Sequence, residues 1–426
     1  MVDNLLKASN CQPTFEDWYI WVKRWSQFSV QDYLRGSFDQ IKQKLQEYDK
    51  RHPEDVKKLW TDEMDAQLSS LKDLLPWSSD AITAFQAHSY SPGIDTSLSE
   101  LLRDSIGQWW EDPMHTFQGG MRSLPRAFME LGDKGYAKVN LKDDTRFGAT
   151  VWKVTYDDSG VRVFYANNAT IGPLPNVNYP EDQFINGDVA IVTLPLNIIR
   201  QVTFDPPLKT SISNSIADVS YGPSTKIMLQ CRKKFWENDP DRITGGFSFT
   251  DLPISQLHYP TKLPGDKPDD RGILMVYTWK QEALLFGSES KQTAIQVAVD
   301  EVKKIHPQIE EYFEVGGVQA WYDDPCAQGA FCMLKPYQIR NITHQLLYPT
   351  GNNPPNQIPQ LYFAGEAISY CNGWIQGALE SGLRAAYQFY ARNEESGNEE
   401  ARNKEARNEQ ASAEQTSSKK LCCSML

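Results

Sequence analysis

The spacing of apolar residues divides the chain into three regions. Residues 14 to 118 carry the period of a helix. "DWYIWVKRWSQFSVQDYL" places apolar side chains three and four apart, "DQIKQKLQEYDKRHPEDVKKLW" is charged and amphipathic, and "SLSELLRDSIGQWW" repeats the pattern. Ser29 followed by Asp32 predicts a helix start within the first stretch. The period then shortens. "ATVWKVTYDDSGVRVFYA" (149–166) predicts two strands joined by a turn at Asp157 to Gly160. Val189 to Thr193 is a continuous apolar run of the kind that suits a strand buried on both faces. "STKIMLQCRKKFW" and "GILMVYTW" predict further strands, and "KQTAIQVAVDEVKKIHP" a helix ended by Pro307. "QLYFAGEAIS" reads as a strand entering a glycine-containing loop, followed by the helix "GWIQGALESGLRAAYQFYARN" with small residues on one face. From about residue 393 the chain is polar and repetitive. Residues 391–426 are expected to be a disordered tail, with an exposed extension of the preceding helix as the alternative.

Helices first, then strands interleaved with helices, give a mixed α/β class. A length of 426 residues suits two or three domains. The net charge of −12 argues against general nucleic-acid binding. No apolar run approaches the roughly 20 residues of a membrane span, and "MVDNLLKASNCQPTFEDW" shows no signal-peptide core. The seven cysteines are scattered without metal-ligand spacing, so no metal site is expected and reduced thiols in a cytosolic chain are. The 12 tryptophans fit either large cores or an aromatic-lined pocket.

The chemistry concentrates in residues 361–386. Leu361 to Phe363 deliver the chain to Gly365 and Glu366, placing a carboxylate at the carboxyl end of a parallel strand, where ligands bind in open α/β sheets. Gly373 then opens a helix at Trp374, whose first turn carries unpaired N–H groups and the positive end of the dipole. Gly377, Ala378, Ser381 and Gly382 keep one helix face small. Close structural packing and close approach to a cofactor both fit this spacing.

"YFAGE…GWI.GA..SGLRAA" resembles the C-terminal flavin segment of the flavin amine oxidases, and within them the L-amino-acid oxidases. Other segments match in the family's order: "FQGGMRSLPRAFMEL" (117–131), "ATVWKV", "DVAIVTLPL", "STKIMLQCRKKFWE" and "WYDDPCAQGAFCMLKPYQ" (321–338). The resemblance implies a partial FAD-binding Rossmann-like domain (119–205 and 355–390), a mixed-sheet substrate domain (206–354) and a helical part of that domain (14–118). The family begins with a βαβ unit carrying G-x-G-x-x-G, and no such stretch occurs here. A truncated gene model, a processed fragment and a partial homologue are all compatible with that.

The implied activity is FAD-dependent oxidation of a primary amine or L-amino acid to the imine, with O2 reduced to H2O2. The alternative is a truncated, non-catalytic homologue. The implied site has Lys226 holding a water near the flavin, Trp374 walling the substrate pocket and Tyr259 binding a substrate carboxylate. Gly119, Gly120, Met121, Val151, Trp321, Gly365, Glu366, Gly373, Trp374 and Ile375 would bind the cofactor. Two departures stand out. Arg103 occupies the register of a helical-domain histidine proposed as a base, with His88 and His115 distant. Ala330 stands where covalent members have cysteine, so FAD is expected to be non-covalent. Finally, Cys423-Ser424-Met425-Leu426 fits a prenylation box, with Lys419, Lys420 and Cys422 as a second anchoring signal. The expected location is the cytoplasm, with Cys423 a candidate point of membrane attachment.

Overall fold

The computed structural model describes residues 22–53, 72–88, 93–107, 117, 119–130, 141–167, 179–238, 242–267, 269–342, 345–346, 360–369 and 371–391. Ser29 caps the helix Val30–Arg35 as its sequence predicts: its hydroxyl accepts from the Asp32 amide while the Asp32 carboxylate accepts from the Ser29 amide. Ser37 and Gln40 repeat the device at Phe38–Arg51. With Ser79–His88 and Leu98–Gly107, these helices enclose Trp25, Phe28, Ile41, Leu45, Ile82 and Leu98. The buried Arg24 is held in a fork by Asp49, at 2.8 and 2.6 Å.

The predicted hairpin is β1 (Ala149–Asp157) and β2 (Gly160–Asn167). β3 (Phe184–Gly187) extends it beside β2. β4 (Ala190–Val192) lies elsewhere, and β5 (Thr203–Asp205) runs parallel to β1. Val154, Val161, Leu196, Ile199 and Phe363 pack in the core beneath. β6 (Ser220–Tyr221) begins the second half of the molecule. β7 (Ser224–Cys231), β8 (Phe247–Phe249), β9 (Gln256–His258), β10 (Gly272–Trp279) and β11 (Phe313–Ala320) form an antiparallel sheet in the order β11-β7-β10-β9-β8. Alternation in β7 and β10 sends Ile227, Leu229, Leu274 and Val276 to one face. There they meet Phe286 of the helix Lys280–Ser288 and Ala294, Ala298 and Val302 of the helix Lys291–Lys303. That second helix ends four residues before Pro307, in turns that the Lys304 and His306 amides continue. The other face of this sheet carries Lys226, Met228, Met275, Tyr277 and Trp279.

β12 (Cys332–Met333) pairs with β6, and β13 (Leu361–Phe363) pairs in parallel with β4. The expectation that Val189 to Thr193 is buried on both faces does not hold. β4 is half-exposed, with Ile191 at 41%. Among the described residues its neighbouring strand is β13 alone, and no described strand flanks its other edge. The helix over residues 375–391 packs Ala385 and Phe389 against Tyr362, and it presents Leu379, Leu383, Tyr387 and Tyr390 to solvent.

Candidate active site

Two surfaces meet at one end of the antiparallel sheet. The first is the sheet face not covered by helices. In register, Lys226 of β7 stands between Tyr277 of β10 and Gln319 of β11. Its ammonium lies 4.4 Å from the centroid of the Tyr277 ring, a cation–π contact. Burial holds its pKa below the ordinary lysine value. His258 of β9 packs against the same Tyr277 ring, centroids 5.9 Å apart, and against Phe247 at 5.1 Å. Burial first, and the Lys226 charge second, press its pKa down to about 4, so the ring is neutral at pH 7.

The second surface is the strand–loop–helix at the end of β13. Gly365 and Ser381 lock strand to helix: the Ser381 hydroxyl accepts from the Gly365 amide at 2.8 Å and donates to the Gly365 carbonyl at 3.0 Å. A Cβ at Gly377 would fall on the Cys371 carbonyl and the Ser369 hydroxyl, closer than any side chain tolerates, so only glycine lets the helix sit this near the loop. Both Glu366 carboxylate oxygens are engaged by backbone, accepting from the Cys332 amide at 3.0 Å and the Gly373 amide at 2.7 Å. Glu366 therefore ties the 332 segment to the loop that opens the helix. Trp374 and Ile375 follow, 36% and 50% exposed.

Phe331 joins the surfaces. Its ring stands edge-on to Trp279 at 5.4 Å, and a Cβ at Gly373, where φ is 79°, would lie 3.2 Å from it. Tyr277 in turn packs on Trp279 at 4.6 Å. A continuous row of rings thus runs from Lys226 to Gly373. Trp321 belongs to the same end: its amide donates to the Ser224 carbonyl at 2.9 Å, and its carbonyl accepts from the Gly329 amide at 3.0 Å.

The structure therefore brings together Lys226, Trp321, Glu366 and Gly373, with Trp374 and Ile375 exposed beside Gly373. It does not bring Tyr259. That side chain lies on the helix-covered side, buried, with its hydroxyl 2.7 Å from His306 Nε2 and 3.2 Å from the Ser248 hydroxyl. The reason is the pleat: adjacent strand residues face opposite ways, and it is His258 that faces Lys226. Gly119, Gly120 and Met121 form an exposed turn into the helix Ser123–Glu130, and Val151 is half-buried against the first core. Cys332 is buried, its thiol pushed well up by burial and by the Glu366 charge, which makes it inert. His115 and Cys423 lie outside the described residues, as do the side chains of His88 and Arg103. The described residues hold no cluster of three metal-ligating side chains, and no helix among them is long and apolar enough to cross a membrane.

His258, Tyr277, Trp279 and Phe331 were not among the expected site residues. The alternation Met275, Tyr277, Trp279 against Leu274, Val276, Thr278 was the available signal for two of them.

Known proteins place this geometry in context. The chain is 28% identical to the L-amino acid oxidase of Cerastes cerastes over 307 residues, which cover 70% of this chain and 55% of that one. It is 28% identical to the L-amino-acid oxidase of Demansia vestigiata over 314 residues, 70% of this chain and 54% of that one. The chain thus spans about half the length of the curated relatives it matches. Cyclohexylamine oxidase from Brevibacterium oxydans IH-35A shares the fold, with a TM-score of 0.54 at 16% identity over 88% of this chain and 69% of that chain. Residues 5–388 match the profile of the flavin containing amine oxidoreductases, and the chain belongs to that family.

Proposed function

We propose that the row from Lys226 to Gly373 is the substrate-facing part of a site that oxidises a primary amine or an L-amino acid. The imine produced hydrolyses to a keto acid or aldehyde and ammonia. The observation that carries this reading is the placement of one partly buried ammonium on the sheet face opposite the helices, joined through Tyr277, Trp279 and Phe331 to the helix-opening loop.

The residues present fit the ring end of a flavin. Among the described residues a Cβ at Gly382 would meet nothing within 4 Å, which leaves bare backbone for a flat group to approach, whereas Gly120 is required by its own φ of 84°. The Trp374 amide donates to the Cys371 carbonyl at 3.3 Å, so the donors for a developing negative charge would come from the first turn of the helix, from Ile375 on. FAD bound there without a covalent link would supply the two-electron acceptor that O2 reoxidises, releasing H2O2. Lys226 has the reach and charge to hold a water beside the reacting carbon. Trp374 walls the pocket. The aromatic row excludes bulk water and orients the apolar part of an amine.

A second reading is favoured by one observation. Among the described residues β4 pairs with β13 alone, and the 375–391 helix exposes Leu379, Leu383, Tyr387 and Tyr390, an apolar stripe that no described residue covers. On that reading the chain is a non-catalytic homologue tethered through Cys423. The test is FAD titration followed by peroxide detection against a panel of amines and L-amino acids. Turnover lost in Lys226→Met supports the enzyme. FAD binding without any turnover supports the second reading.

A further inference from the structure

We propose that the cleft between Thr96, Ser220, Lys280 and Lys335 binds a small organic phosphate monoester, which ties the helical region to the sheet that carries Lys226. No residue of the row from Lys226 to Gly373 lines this cleft, and the inference stands without the amine-oxidising reading.

Distant segments converge there. The turn before the helix Leu98–Gly107 brings Asp95 and Thr96, β6 brings Ser220, Lys280 opens the helix Lys280–Ser288, and Lys335 follows β12. They bound a volume of about 370 Å³, room for roughly a dozen water molecules and so for an anion with an organic part. Backbone bonds fix the walls. The Ser97 amide donates to the Leu334 carbonyl at 2.8 Å, and the Lys280 amide donates to the Pro223 carbonyl at 3.1 Å. Lys280 is held at a φ of 53°, in the left-handed region that lysine seldom adopts.

The charges of the cleft are unmatched. Among the described residues neither the Lys280 nor the Lys335 ammonium has an ion pair or a hydrogen bond, in a chain whose net charge is −12. Asp95 does not neutralise them. Its carboxylate folds back on its own turn, where a Cβ at Gly93 would fall on Oδ1. The Thr96 hydroxyl donates to the Gly93 carbonyl at 2.6 Å, and the Tyr221 hydroxyl accepts from the Leu196 amide at 3.0 Å. The Ser220 hydroxyl has no partner among the described residues. Two ammoniums and one hydroxyl, from three segments, are thus left as donors. A phosphate monoester carries a charge of about −1.5 to −2 at pH 7 and three terminal oxygens, one for each donor. A concave site focuses the field of the two lysines on such an anion. Pro223 and Met333 line the remainder and suit the organic part. Gly222 stays bare between them because a Cβ there would fall on the Met333 methyl.

The full-length chain is titrated by calorimetry at low salt with glycerol 3-phosphate, succinate and glycerol. Glycerol 3-phosphate is expected to bind at one site per chain, at least ~10-fold more tightly than succinate, with glycerol unbound. Lys335→Gln and Lys280→Asn, the second chosen because asparagine tolerates a left-handed backbone, should each weaken it at least ~5-fold. Lys303→Gln should change nothing and controls for net charge, since Lys303 pairs with Glu310 at 2.7 Å elsewhere on the surface. Amide hydrogen exchange over residues 95–97 and 220–222 should slow when glycerol 3-phosphate is added. No binding by the parent, unchanged affinity in both folded variants, or an equal loss in Lys303→Gln would each overturn the proposal. Succinate bound as tightly would give the cleft to dicarboxylates, and displacement of glycerol 3-phosphate by FAD would give it to the cofactor; either result overturns the assignment. None of these readouts depends on amine oxidation.

Discussion

Glu366 offers a quantitative test of how the loop over the helix start is held. Its two carboxylate oxygens accept the Cys332 and Gly373 amides. Glu366→Ala removes both acceptors. The Cys332 amide belongs to a buried residue and is left without a partner, at a cost of about 1–3 kcal/mol. The Gly373 amide is exposed and rehydrates, so its loss is about 0.5–1.5 kcal/mol. Together the variant should be destabilised by roughly 2–4 kcal/mol. At ~1 °C per kcal/mol for a chain of 426 residues, the melting temperature followed by tryptophan fluorescence should fall by roughly 2–4 °C. Glu366→Gln keeps one acceptor oxygen and places an NH2 against the other amide, so it should lose about half as much. FAD affinity should fall in parallel, because the same bond positions Gly373 and Trp374. Glu366→Ala melting within ~1 °C of the parent would refute the clamp.

Other outcomes follow from the placement of single groups. Tyr259→Phe should lose about 0.5–1.5 kcal/mol with its bond to His306 and leave amine affinity unchanged; a large affinity loss would return Tyr259 to the substrate site. The unfolded imidazole binds a proton below about pH 6.5, and folded His258 only below about 4. Protonation in that window favours unfolding, so stability should fall as pH drops from 6.5 toward 4, and urea denaturation of His258→Gln should show a shallower dependence. Leu383, 74% exposed, should accept glutamate within ~0.5 kcal/mol of the parent by denaturation, unless a partner covers that stripe. Cys423→Ser should move the protein from membrane to soluble fractions and remove a prenyl mass from the C-terminal peptide; equal fractions with no such mass would reduce the tail motif to chance.

Elements whose signals are local were legible in the sequence. The β1–β2 hairpin shows in its alternation around the Asp157 to Gly160 turn, and the Ser29 helix start in its capping pair. Lys226 was singled out by the resemblance, through its place ten residues before Trp236 in "STKIMLQCRKKFWE"; the alternation of the strand predicts only that it lies opposite the apolar face. What escaped depends on register between distant segments. Tyr259 and His258 are neighbours, and which of them faces Lys226 is decided by the pairing of β9 with β10, which "LHYP" does not encode. Tyr277, Trp279 and Phe331 come from separate segments and become one row only through packing. The apolar run at Val189 to Thr193 predicts burial on both faces because hydrophobicity reports what a strand can bury, and not whether a neighbour is there to bury it.

The central claim is that the Lys226 face and the Gly373–Trp374 loop form one flavin-dependent amine site. It is tested most directly by mixing the full chain with excess FAD under anaerobic conditions, adding amines and L-amino acids, and following the flavin absorbance. The account predicts bleaching by at least one amine or amino acid, slowed in Lys226→Met and altered in substrate preference in Trp374→Ala, with all flavin released on acid precipitation. Bound FAD that no substrate bleaches, or bleaching that both variants leave untouched, would contradict it.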